Sequence, residues 1–70
     1  MTYADALKAS RQVGAAHAEG LPLLAITLKT LALVHAINPE RAFAGAVKRG
    51  LTAAQVRRLD PLALGDLMFV

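Results

Sequence analysis

The chain has no cysteine and no tryptophan, and one tyrosine and two phenylalanines are its only aromatic residues. Without cysteine there is no disulfide framework and no thiolate metal site. His17 and His35 are the only imidazoles, too few for a structural zinc site of the usual kind. Acidic residues are also scarce, five against eight Lys and Arg, which leaves a formal charge of +3. That balance suits an acidic partner, protein or nucleic acid, without requiring one. No Gly-rich phosphate loop, HExxH or GxSxG occurs. Three of the five carboxylates, Asp5, Glu40 and Asp60, stand where helix starts want an acid or a cap. Neither histidine has a nucleophile or acid at triad-like spacing. We therefore expect no catalytic residues, no metal, no cofactor and no enzyme.

What is present is apolar. The composition is 56% hydrophobic, which excludes a disordered chain. Ala and Leu dominate over β-branched residues, and that is helix-forming composition. Seventy residues make a single helical domain, 1–70, that buries only about 60% of its unfolded surface. A scaffold this small usually needs a staple. With disulfides and metal excluded, association with a partner or a second copy is the expected one.

The run Leu21–Ile37, LPLLAITLKTLALVHAI, is apolar around most of its circumference. It is shorter than the roughly 20 residues of a membrane span. It also carries Lys29 at its centre, which costs about 2.5–3.5 kcal/mol on insertion scales. A membrane role is not expected. The N-terminus has no basic stretch followed by an apolar run, so we expect a cytoplasmic protein.

Local signals divide the chain into four to five short helices. Thr2 caps a first helix, expected to run to Glu19 with Gly20 as its left-handed stop. Ala6, Ser10, Gly14 and Ala18 form a ridge of small residues along it, suited to close helix packing. Pro22 opens a second helix, about 22–37, at the centre of the bundle. In it Lys29 shares a narrow strip with Ala25, Ala32 and Ala36. The broader face carries Leu23, Leu24, Leu28, Leu31, Val34 and Ile37. Asn38-Pro39-Glu40 starts a third helix, Pro39–Arg49, which Gly50 stops. Thr52 and Gln55 match a capping box for a fourth, ending near Leu59. Asp60-Pro61 starts the last, LALGDLMFV, whose apolar end must dock somewhere.

The expected fold is all-α, and the expected function is binding to another protein, with self-association as a homodimer. The candidate protein interface is Leu24, Leu28, Leu31, Met68 and Phe69. A basic set of Lys48, Arg49, Arg57 and Arg58 would steer an acidic partner or touch nucleic acid, and Thr52 joins them if the partner is DNA.

Two stretches resemble known families. Ala42–Pro61 resembles a helix-turn-helix unit, with small Ala46, Gly50 at the turn, Leu51 after it and Thr52 capping the second helix. The resemblance implies that Thr52, Ala53, Ala54, Arg57 and Arg58 face the major groove of DNA. Gly45 and Arg49 stand where that motif places apolar residues, and Asp60-Pro61 cuts the second helix short. Gly50–Met68, with its Gly-Leu-Thr turn, Leu59-Asp60-Pro61 step and Leu64, Leu67 and Met68, is similar to the ending of small phage tail-assembly chaperones. That likeness implies a phage-like assembly adaptor that binds another protein.

Overall fold

The computed structural model describes residues 1–13 and 20–69, which form five helices and no strand among them. They are α1 (Tyr3–Val13), α2 (Gly20–His35), α3 (Pro39–Lys48), α4 (Ala53–Arg57) and α5 (Pro61–Asp66). The all-α bundle expected from composition is the fold observed. α1, α3 and α4 pack on α2, and α5 packs on α3. Leu24, Ala25 and Leu28 of α2 meet Ala6, Ala42, Phe43, Ala46, Val56, Leu64 and Leu67 in one buried cluster.

The capping grammar is realised at four of the five expected helix starts. Thr2 Oγ1 accepts the Asp5 N–H at 3.2 Å. Asn38 Oδ1 accepts from Glu40 and Arg41 at 3.0 and 3.2 Å. Thr52 and Gln55 form a reciprocal capping box, at 3.3 Å and 2.8 Å. Asp60 Oδ1 accepts from Ala63 at 2.7 Å. Each satisfies backbone donors that a helix start otherwise leaves without partners. Gly50, at φ 69, ends α3 as expected. Its N–H bonds Val47 O at 3.1 Å and that of Leu51 bonds Ala46 O at 2.9 Å, the paired bonds of a Schellman motif.

Three expectations are corrected. Gly20 is the first residue of α2, not the stop of α1. The part of the first helix assigned to 14–19, with Gly14, His17, Ala18 and Glu19, lies outside the described residues. α2 ends at His35, not Ile37. Asn38 must be extended to cap α3 and to precede Pro39, so the chain reverses early, at Ala36, with φ 54. The third correction concerns α4, which stops at Arg57. Arg58 and Leu59 continue only as a tighter turn, bonding Gln55 O and Val56 O at 3.2 and 3.1 Å. Ala25, on the other hand, is fully buried. The Ala strip beside Lys29 is therefore part of the core at that point, and small residues let the neighbouring helices approach closely.

Two contacts fasten the ends. Ser10, buried on α1, places Oγ 2.6 Å from Pro22 O and 2.9 Å from Ala6 O, so its proton has an acceptor on α2. At the C-terminus Leu67 passes directly over Gly45, whose missing side chain makes room for the Leu67 backbone. Arg49 Nη2 donates to Asp66 O at 3.2 Å, and the Asn38 N–H points at Met68 Sδ, 3.1 Å away. The apolar ending thus docks across α3, with Leu64 and Leu67 buried.

Candidate interaction surface

The expected interface residues separate into three environments. Leu24 and Leu28 are 1% and 0% exposed. They are core residues of the single chain and are corrected from interface to core, because α1, α3 and α4 close over that side of α2. Leu31 and Met68 are half-buried and pack against the core. Phe69 is 76% exposed.

Large apolar side chains are also exposed on α2 itself, as is Leu62, 80% exposed, on α5. Leu33 is 83% exposed and Val34 71%. With about 100° of rotation per residue, Leu33 falls roughly 140° from Leu28, on the far side of the helix. The line Leu23, Ile26, Thr30, Leu33 runs along that side, half-buried at its first two positions and exposed at its last two. Sequence reasoning placed Val34 on the broad apolar face but did not separate exposed from buried positions. The signal was the heptad spacing of these four, opposite the Leu24–Leu28 face. A helix greasy all round hides it.

Lys48, Arg49, Thr52, Arg57 and Arg58 are all exposed. The structure brings them to the α3–α4 turn and the short helix that follows it. Arg49 is tied to the C-terminal backbone, and the hydroxyl of Thr52 is occupied by its cap. Ala53, expected in the DNA-facing set, is buried instead. α4 is five residues long, little more than one turn.

A cleft of about 490 Å³ opens between the start of α1 and α3, bordered by Tyr3, Glu40, Phe43, Val47 and Lys48. Tyr3 packs edge-on against Phe43, ring centroids 5.5 Å apart. Burial raises the Tyr3 pKa, with a further push from the Glu40 charge. Its hydroxyl is sealed from solvent and has no hydrogen-bond partner among the described residues. The cleft therefore presents Glu40 and Lys48 over an apolar floor, and no reachable hydroxyl from Tyr3. His35 is half-buried at the end of α2, and His17 lies outside the described residues. Among the described residues no group of three His, Asp or Glu side chains could hold a metal, and no helix is long and apolar enough to cross a membrane.

In comparisons with known proteins, no family model, curated protein or solved structure matches the chain.

Proposed function

We propose that this protein is a non-enzymatic binding module, an adaptor, assembly chaperone or inhibitor of another protein, and that it associates with itself. The observation that supports this reading is the exposure of Leu33 and Val34 on a helix whose opposite side is the core of the chain. Adjacent large apolar side chains on a rigid element, with Phe69 also exposed, are what a protein interface is made from. The resemblance of Gly50–Met68 to phage tail-assembly chaperones agrees with a binding role. In this fold, however, Leu64 and Leu67 are spent on the core. The experiment is a concentration series by light scattering, with a duplex of random sequence added in parallel. Rising mass with protein concentration, unchanged by DNA, supports the reading.

The second reading is DNA binding through residues 42–61. It draws on the exposure of Lys48, Arg57 and Arg58 around a Gly50 turn. Under it, Arg57→Ala with Arg58→Ala abolishes a salt-dependent duplex complex, since each phosphate contact contributes to the salt slope. A duplex that never binds at low salt removes it.

A further inference from the structure

We propose that the cleft between α1 and α3 holds an extended segment of another protein, with a Lys or Arg of that segment at Glu40, an apolar residue over Val47 and an Asp or Glu at Lys48. The inference deepens the protein-binding reading above and rests on it.

The cleft offers room that the chain itself does not fill, about 490 Å³, within the roughly 300–1,000 Å³ of sites that take a ligand. Its apolar side is built by the Tyr3–Phe43 ring pair and by Ala44 and Val47, which are both exposed. Its charged side chains stand at the two ends. Glu40 and Lys48 are exposed on α3, and their places in the helix set them about 12 Å apart along its axis. Ala44 and Val47 lie between them, and all four fall within an arc of about 100°.

The shape of the cleft selects an extended chain. Spread over about 12 Å of helix, 490 Å³ gives a channel of about 40 Å² in section, roughly 7 Å across. A helix with its side chains is about 10–12 Å wide and does not enter. An extended strand does, since strands pack about 4.8 Å from their neighbours. In a strand every second side chain lies on one face, and residues four apart are separated by about 13 Å. A basic residue, an apolar residue two further on and an acidic residue two beyond that therefore meet Glu40, the Ala44–Val47 floor and Lys48 in turn. The stem of the basic residue lies along the floor while its charge reaches Glu40.

Charge distinguishes this occupant from any apolar one. A segment carrying opposite charges at this spacing is attracted at both ends of the cleft, whereas one with two like charges is attracted at one end and repelled at the other. The sequence of this chain has no Lys or Arg four residues from an Asp or Glu. A second copy therefore does not supply the segment, and the occupant is a different protein.

The probe is the peptide Lys-Ala-Leu-Ala-Glu, acetylated and amidated so that only its side chains are charged. It is titrated into the isotope-labelled full chain and followed by amide chemical shifts. The expected shifts centre on Tyr3, Ala44 and Val47, with affinity about threefold or more above that for Lys-Ala-Leu-Ala-Lys or Glu-Ala-Leu-Ala-Glu, the modest margin that exposed ion pairs give. Glu40→Lys, a change at an exposed side chain, is expected to make Glu-Ala-Leu-Ala-Glu the preferred peptide. Equal affinity for the three peptides, or a preference that Glu40→Lys leaves in place, overturns the proposal. Tighter binding of aminoundecanoate, an amphiphile with an amine at one end and a carboxylate at the other, makes the cleft a small-molecule site and overturns the protein segment. No shift around the cleft at millimolar peptide overturns the site. If mass still rises with protein concentration, the binding-module reading survives that last result. A constant monomeric mass as well removes both.

Discussion

The two sides of α2 are built from similar residues and have opposite fates. Leu24, Ala25 and Leu28 are closed off by α1, α3 and α4, whereas Thr30, Leu33 and Val34 meet solvent. Hydrophobicity alone does not distinguish them, since Leu occupies both sides. The difference comes from where the surrounding helices can reach. Short helices rich in Ala approach α2 closely on the Leu24–Leu28 side, while the other side passes from half-buried at Leu23 and Ile26 to exposed at Thr30 and Leu33. The lesson is that an apolar run reports that something must be covered, and the lengths and small residues of its neighbours decide how much is covered within the chain.

The sharpest way to break this comparison is to place the same charge on each side. Leu28→Asp buries an unpaired carboxylate in the core and is expected to leave the chain unfolded, since a domain of this size has about 5 kcal/mol to lose. Leu33→Asp is expected to change the folding free energy by about 0.5 kcal/mol or less. Circular dichroism during urea titration distinguishes them. Equal loss of structure in both variants would mean that the two sides are not different in kind.

The next effect extends the contrast to α3. Gly45→Ala drives a methyl group into the backbone of Leu67, and overpacking against a main chain that cannot simply rotate away costs about 3 kcal/mol. The expected readout is a lowered denaturation midpoint, together with earlier proteolytic release of the C-terminal turn. A midpoint unchanged from the parent would remove the close approach from the account.

A smaller effect of opposite sign is expected at Thr27. It is buried on α2 and its hydroxyl has no partner among the described residues. Thr27→Val removes the orphan group while keeping the shape, and should raise stability by about 1 kcal/mol. A loss of stability there would show that the hydroxyl is bonded in solution. Smallest is Ala36→Gly. The left-handed conformation of Ala36, φ 54, costs a residue with a Cβ about 1–2 kcal/mol. Glycine avoids that strain but loses more entropy on folding, leaving a net gain of about 0.5 kcal/mol, measurable as a small rise in Tm.

Much of the fold was legible in local chemistry. Asn38-Pro39, Thr52 with Gln55, Gly50 and Asp60-Pro61 each specify a boundary through hydrogen bonds made within a few residues, so no tertiary knowledge is needed to read them. Gly20 and Ala36 were misread for a related reason. A glycine suits either a helix stop or a permissive start, and an alanine gives no sign that its neighbours will force it left-handed. The pairing of Gly45 with Leu67 is a contact between distant positions, invisible to any local pattern. The surface was less legible than the fold. Leu24 and Leu28 were assigned to an interface because large apolar residues serve cores and interfaces alike, while Leu33 went unassigned beside them. Only the placement of α1, α3 and α4 separates these roles.

The most direct test is the mass of Leu33→Asp and of the parent chain by light scattering from micromolar to millimolar protein, with circular dichroism confirming that both are folded. The expected result is a parent that passes from monomer to dimer as concentration rises and a folded variant that stays monomeric throughout. A folded variant whose mass rises as the parent's does would contradict the claim that the outer side of α2 is the binding surface.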